Sequence, residues 1–163
     1  MRESTARQSG LGAYSFQNGG SGEEYKKELN TLAKNYTIEW VEPIYEPQKL
    51  ADEIKTHDVF CYPSIANKGE TFGVAPLEAM GVGLPVVLSS LDCFQDYFEE
   101  GVNGFSYNYE AENAAELLAK RILQICQSPE LYEELSRGAL ETSKRFSAEL
   151  ISERYLEKFE ELL

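Results

Sequence analysis

Short apolar runs alternate with helical patterns along most of the chain, and this alternation limits the possible folds more than any other feature. Residues 58–62 form a largely apolar run that Pro63 ends, which indicates a buried strand, and residues 74–82 follow with a helical pattern that Gly83 ends. Further strands are predicted at residues 11–16, 37–41, 85–88 and 104–107, a helical turn at 94–99, and further helices at 23–34, 46–56, 111–127, 129–144 and 147–163. Strands that alternate with helices, followed by trailing helices, predict an α/β domain whose parallel sheet carries helices on both faces.

Length, charge and cysteine usage narrow the class of protein. The 163 residues, 42% of them hydrophobic, suit a single core, which we assign to residues 11–163 behind a flexible lead-in at residues 1–10. A formal net charge of −13 repels phosphate backbones and disfavours nucleic-acid binding. The lead-in has no apolar core, so it is not a secretory signal, and a cytoplasmic protein is expected. The cysteines are widely spaced and His57 is the single histidine, so no metal site is predicted.

The segment between the strand at residues 58–62 and the helix at residues 74–82 is the candidate ligand site. Ligands of open parallel sheets bind beyond the carboxyl ends of the strands, where this loop lies. Gly73 has no side chain, so a phosphate could approach its backbone closely. The first N–H groups of the helix lack partners within it and lie at the positive end of its dipole. Pro76 lies in the first turn, where its lack of an N–H is tolerated because N–H groups there have no partner within the helix. The pattern predicts a diphosphate-binding cradle.

Two carboxylates flank this helix start. Glu78 lies about one turn into the helix among apolar residues, and Glu70 lies in the preceding loop. The two hydroxyls of a ribose could bind the Glu78 carboxylate, since a partly buried charge needs partners. The alternative is capture of Glu78 by neighbouring backbone N–H groups, and for Glu70 the alternatives are contact with a sugar hydroxyl and simple solvation. Spacing alone leaves both choices open.

Long stretches of the sequence resemble the signature of a known enzyme family. Residues 58–64 and 70–87, together with Gly101-Val-Asn-Gly-Phe105 and Arg145-Phe-Ser147, are similar to the group 1 glycosyltransferases. Those are retaining enzymes of the GT-B fold, in which two Rossmann-like halves face a cleft. The similarity runs from about Ser15 to the C-terminus and implies that this chain is the C-terminal, nucleotide-sugar-binding half.

The resemblance assigns roles residue by residue. Glu78 matches the glutamate that binds the ribose hydroxyls, and Glu70 matches the glutamate that contacts the donor sugar and is the candidate catalytic residue. The loop whose backbone approaches the diphosphate and the sugar corresponds to Thr71, Phe72, Gly73 and Val74. The resemblance implies a UDP- or GDP-linked sugar as donor, no metal and no further cofactor.

The sequence departs from the family in two respects. The acceptor-binding half that precedes the donor half is missing; we expect it in a separate polypeptide or to have been removed from the chain, and a membrane-peripheral location would come through it. The strand and helix that open the donor half, with an Arg and a Lys for the diphosphate, are also not found. Lys68 is close to the loop and is a candidate donor-binding cation for the diphosphate, although a solvated lysine is the preferred interpretation. The chain is therefore expected to bind a nucleotide sugar weakly or not at all, and not to catalyse transfer alone.

Loss of that first strand has a consequence for the sheet, because it is central in the common strand order 3-2-1-4-5-6. We expect the N-terminal segment, a second copy in a homodimer, or a separate polypeptide to fill the gap. The leading functional hypothesis is donor binding for transfer of a hexose to a saccharide or lipid acceptor. The alternative is a non-catalytic interaction subunit or truncated remnant of the same fold. A dinucleotide-dependent oxidoreductase is excluded because no Gly-x-Gly-x-x-Gly follows a strand.

Overall fold

A computed structural model of the chain describes residues 8–11 and 22–162. These residues belong to two compact units, which divide between Leu50 and Ala51. Among the helices in the described ranges, none is both long and apolar enough to span a bilayer.

The first unit is built on a strand–helix–strand arrangement. Strand β1 (Gln8–Leu11) runs parallel to β2 (Ile38–Val41), with Gln8 opposite Ile38. Helix α1 (Gly22–Ala33) connects them. Its half-buried apolar side chains are Leu29 and Ala33, four residues apart, whereas Tyr25 and Leu32 are exposed.

The second unit contains a three-stranded parallel sheet in the order β3-β4-β5. Its strands are β3 (Phe60–Tyr62), β4 (Val86–Ser89) and β5 (Gly104–Tyr107). Helix α3 (Val74–Gly81) connects β3 to β4, and a 3₁₀ turn (Asp92–Phe94) follows β4. After β5 come α4 (Ala114–Cys126), α5 (Pro129–Lys144) and α6 (Ala148–Glu160), while α2 (Pro47–Ile54) spans the boundary between the units.

The core of the second unit centres on β4. Every residue of this strand is buried, as expected for a central parallel strand that is covered on both faces. Val87 packs in a cluster with Phe105, Tyr107, Ile125 and Leu135. Helix α3 packs against β3 and β4, α4 packs against β4 and β5, and α5 contacts both helices. The carboxyl end of β3 therefore lies on a rigid support.

A fully buried asparagine fixes the turn before β5. The Nδ2 group of Asn103 donates to the Tyr97 carbonyl at 2.8 Å and to Thr142 Oγ1 at 3.0 Å. Its Oδ1 accepts from the Glu99 N–H at 3.1 Å. Gly101 takes up a left-handed conformation with φ of 75° in the same turn. The Gly-Val-Asn-Gly pattern thus connects the sheet to α5 and holds Tyr97 in place.

Most predicted elements are present with small shifts at their ends. The strand at residues 104–107 and the helix at residues 129–144 have the predicted bounds, and Ser147 caps α6 by accepting from the Leu150 N–H at 3.2 Å. The strand predicted from Asp58 begins only at Phe60, and the turn predicted at 94–99 begins with the 3₁₀ residues 92–94.

The N-terminal predictions fall largely outside the described residues. Residues 12–16 of the strand predicted at 11–16 lie there, and so do residues 1–7 of the lead-in. Residues 8–10, also assigned to the lead-in, form part of β1 together with Leu11. No described strand joins the β1-β2 pair to β3-β4-β5. The domain bounds and the way in which the central gap is filled therefore stay predictions.

Candidate functional site

The loop between β3 and α3 turns back on itself through a short backbone hydrogen-bond pattern. The Ala66 carbonyl accepts from the N–H groups of Gly69 and Glu70 at 3.1 and 3.0 Å. Ser64 Oγ accepts from the Ala66 N–H at 3.3 Å. Because the chain reverses here, Glu70 returns to the end of β3 instead of extending into solvent.

Glu70 is held by a tyrosine at the end of that strand. The hydroxyl of Tyr62 donates to Glu70 Oε2 at 2.7 Å, and the Glu70 side chain is half-buried. Burial, the hydrogen bond to Glu70 and the charge of Glu70 together raise the pKa of Tyr62 to about 12. In the described part of the chain, Glu70 Oε1 has no hydrogen-bond partner. Glu70 is therefore an oriented carboxylate with one oxygen available, which differs from a solvated loop charge.

Gly73 occupies a conformation and a space that suit glycine alone. Its φ is 73°, in the left-handed region, and it precedes the first residue of α3. A Cβ at this position would lie 2.6 Å from Cε1 of Phe94 and 3.1 Å from the Tyr97 hydroxyl. The Gly73 carbonyl accepts from that hydroxyl at 2.8 Å. Phe94 and Tyr97 thus hold the backbone at the start of α3 in place from one side.

The start of α3 offers unpaired donors. No side chain caps the helix, and among the residues described the N–H groups of Gly73, Val74 and Ala75 meet no acceptor. Pro76 carries no N–H. Val74 is 59% exposed, so the first turn is open to solvent. Unpaired N–H groups at the positive end of a helix dipole form an arrangement that binds anions.

The side chain of Phe72 faces an aromatic cluster. Its ring centroid lies 5.1 Å from that of Tyr97 and 5.8 Å from that of Phe146. Tyr97 and Phe146 are themselves 6.1 Å apart, and Tyr97 is 1% exposed. Phe72 therefore acts as a packing residue, and what it offers to a ligand is its backbone.

Glu78 lies on the surface of α3, beside a shallow groove of about 390 Å³. The groove is lined by Val74, Leu77, Glu78, Gly81, Ser143, Lys144, Phe146 and Ser147. Partial burial among these neighbours raises the pKa of Glu78 above its ordinary value. Within the described ranges its carboxylate accepts no hydrogen bond and makes no ion pair. The alternative in which backbone N–H groups capture Glu78 is therefore not observed.

The basic residues around the site have different surroundings. Lys68 is exposed and pairs with no acidic group in the described residues. Lys144 pairs with Glu141, and Arg145 pairs with Glu99 at 3.1 Å. Thr71 is exposed beside Glu70. The described residues contain no cluster of His, Cys, Asp and Glu that could hold a metal ion.

The structure brings some predicted site residues together and adds two that the sequence analysis did not assign to the site. Glu70 lies against Tyr62, and Gly73 lies against Tyr97, while Glu78 is the fifth residue of α3 and faces a separate groove. The two added residues are Tyr97 and, at the end of β3, Tyr62. Its position before Pro63 at the end of a strand was the available signal, because side chains there face the ligand edge of a parallel sheet.

Comparisons with known proteins agree with this architecture. Residues 14–142 match the family described as glycosyl transferases group 1. A D-inositol 3-phosphate glycosyltransferase of Saccharomonospora viridis is 29% identical over 145 residues, which cover 88% of this chain and 33% of that protein. The chain spans about a third of the length of the curated relatives that it matches.

Solved structures show the same fold. HepE of Anabaena, in complex with UDP and glucose, aligns with a TM-score of 0.72 at 22% identity, over 96% of this chain and 40% of that one. The C-terminal domain of a glycosyl transferase group 1 family protein from Francisella tularensis aligns with a TM-score of 0.61 at 16% identity, over 77% of this chain and 64% of that one. The predicted α/β class, with a parallel sheet and flanking helices, is confirmed as that of a GT-B C-terminal domain. The chain belongs to the glycosyl transferases group 1 family.

Proposed function

We propose that this chain is the donor-binding domain of a glycosyltransferase that transfers a hexose from a nucleotide sugar to a saccharide or lipid acceptor. The observation that carries the proposal is the uncapped start of α3 with Gly73 clamped before it, because this arrangement presents N–H groups to an anion. In a protein with a net charge of −13, a diphosphate needs such a local positive site.

The diphosphate would lie against the backbone of the loop. Thr71, Phe72, Gly73 and Val74 form the turn into α3, and the N–H groups of Gly73 and Val74 have no acceptor among the described residues. Clamping by Tyr97 fixes the direction of these groups before a ligand arrives. Fixed donors lose little entropy on binding, so they bind an anion better than a mobile loop does.

Glu78 would bind the ribose. Its carboxylate has no partner in the described residues, and partial burial raises its pKa, so the charged form gains from new hydrogen bonds. Two neighbouring hydroxyls can donate to the two oxygens of one carboxylate. Glu70 would contact the donor sugar through Oε1, the oxygen that Tyr62 leaves available.

The proposed donor is a UDP-sugar. HepE of Anabaena was solved with UDP and glucose and with UDP-glucose, and its fold covers nearly this whole chain. Lys68 is the exposed cation of the loop and would support the diphosphate only weakly, since exposed charge pairs contribute little. We therefore infer weak donor binding by this chain and dependence on an acceptor-binding half for turnover.

The test is calorimetric titration of the purified chain with UDP and with GDP. We expect UDP to bind, and Glu78→Gln to weaken binding by about 1.5 to 3 kcal/mol, which is roughly 10- to 100-fold in Kd. The matched control is Glu116→Gln on the exposed side of α4, which makes the same charge change and should leave the Kd unchanged. If the wild-type chain binds neither nucleotide at millimolar concentration, the result would instead support the alternative that the chain is a non-catalytic interaction subunit or a truncated remnant of the fold.

A further inference from the structure

Tyr62 is a rigid side chain at the carboxyl end of β3. It pairs with Leu88 of the fully buried strand β4. Its ring lies 6.0 Å from the Phe94 ring in an edge-on arrangement and 6.3 Å from the Phe60 ring in a stacked one. A tyrosine that is fixed by its strand and by two rings can direct its hydroxyl to one place.

That place is one oxygen of Glu70. The 2.7 Å distance from the hydroxyl to Oε2 is within the range of roughly 2.5 to 2.7 Å that a hydroxyl makes with a charged oxygen. The backbone N–H of Glu70 is separately held by the Ala66 carbonyl at 3.0 Å. Glu70 is therefore fixed at its main chain and at its carboxylate, while Oε1 has no partner among the described residues.

We propose that Tyr62 is the positioning residue of the donor site, which holds the Glu70 carboxylate so that Oε1 accepts from a hydroxyl of the donor sugar. This inference rests on the proposed function and adds to it a separate role for each oxygen of Glu70: Oε2 accepts from Tyr62, and Oε1 accepts from the sugar. Tyr62 acts through Glu70 and does not itself contact the substrate. Because the pKa of Tyr62 is raised to about 12, the hydroxyl keeps its proton at any pH at which the protein is used.

The expected consequence is selective for the sugar. Without Tyr62 to hold it, the Glu70 side chain becomes ordered only when the sugar binds, and ordering a side chain weakens affinity by roughly 3- to 10-fold. UDP alone has no sugar beyond its ribose, which Glu78 binds in the proposed site. Loss of the Tyr62 hydroxyl should therefore weaken binding of UDP-glucose and leave binding of UDP unchanged.

The experiment measures Kd values of UDP and UDP-glucose for the full chain and for Tyr62→Phe, with Tyr132→Phe as the control that removes a hydroxyl on α5. For Tyr62→Phe the ratio of the UDP-glucose Kd to the UDP Kd should rise by roughly 3- to 10-fold. A purely structural role of Tyr62 would raise both Kd values together, leave their ratio unchanged and overturn the proposal. Thermal unfolding shows whether each variant is folded.

A double-mutant cycle separates this proposal from the one on which it rests. In a Glu70→Ala background, Tyr62→Phe should produce no further change in the ratio, because the group that it positions is gone. A full effect of Tyr62→Phe in that background would overturn the inference and leave donor binding intact. If Glu70→Ala does not change the ratio of the UDP-glucose Kd to the UDP Kd, Glu70 does not contact the sugar, and the inference about Tyr62 is wrong as well. If the wild-type chain binds neither ligand, the proposed function itself fails.

Discussion

Replacement of Gly73 by alanine tests the geometry of the loop most directly. Two separate costs are expected. An alanine at φ of 73° costs roughly 1 to 2 kcal/mol because its Cβ crowds the backbone in the left-handed region. The same Cβ would lie 2.6 Å from Cε1 of Phe94, whose side chain is 2% exposed and cannot move aside. Such overpacking costs about 1 to 3 kcal/mol.

Together these costs predict a loss of roughly 2 to 5 kcal/mol in the free energy of unfolding. That is a large part of the ~5 to 15 kcal/mol by which natural domains are stable. The midpoint of thermal unfolding should fall on the order of 10 °C. Urea denaturation followed by circular dichroism at the helical band gives the free energy directly.

Two other glycines separate the contributions. Gly101 has φ of 75° and open space at the Cβ position, so Gly101→Ala should show the conformational cost alone, roughly 1 to 2 kcal/mol. Gly81 ends α3 without a positive φ and also has open space, so Gly81→Ala should be neutral or stabilise by up to ~1 kcal/mol. Equal stability of the Gly73→Ala and Gly81→Ala variants would refute the reasoning, and equality with Gly101→Ala would refute the overlap with Phe94.

Two further predictions concern Asn103 and the pH dependence of binding. Asn103→Ala removes three hydrogen bonds, two buried and one partly buried, and should cost about 2 to 4 kcal/mol in urea denaturation, whereas an unchanged midpoint would show that the turn holds without them. Because burial raises the pKa of Glu78, its carboxylate gains a proton at a higher pH than an ordinary one does. The Kd ratio of Glu78→Gln to wild type for UDP should therefore approach one as the pH is lowered, and a ratio independent of pH would contradict this role.

Local signals allowed most elements to be predicted, and α5 shows why. Ser128 accepts from the Leu131 N–H at 3.2 Å, and Pro129 follows as the first helical residue, so the helix start is encoded within four residues. The bond between Tyr62 and Glu70 has no such local code. It depends on the reversal of the loop at Ala66, which no periodicity reveals.

The contacts of Gly73 were beyond sequence reasoning for a related reason. A helix start with a preceding glycine was predicted, and the structure agrees. The residue that closes the space around it is Tyr97, whose hydroxyl reaches the Gly73 carbonyl from 24 positions further along the chain. Tyr97 is held in turn by Asn103, which bonds to Thr142 on α5. Contacts of this range depend on tertiary packing, which single-residue preferences do not encode.

Much of the sequence pattern that resembles the family serves the scaffold rather than the ligand. In Arg145-Phe-Ser147, Arg145 pairs with Glu99, Phe146 packs against Phe72, and Ser147 caps α6. Phe72 and Gly73 lie between Glu70 and Glu78 in the sequence, and both also pack against the aromatic cluster. These residues therefore specify a turn that is held by packing, and few of their atoms are available to a ligand. A domain can keep this turn for stability alone, so the match to the family establishes the fold more firmly than the chemistry. The function therefore depends on whether the carboxylates of Glu70 and Glu78 bind a donor.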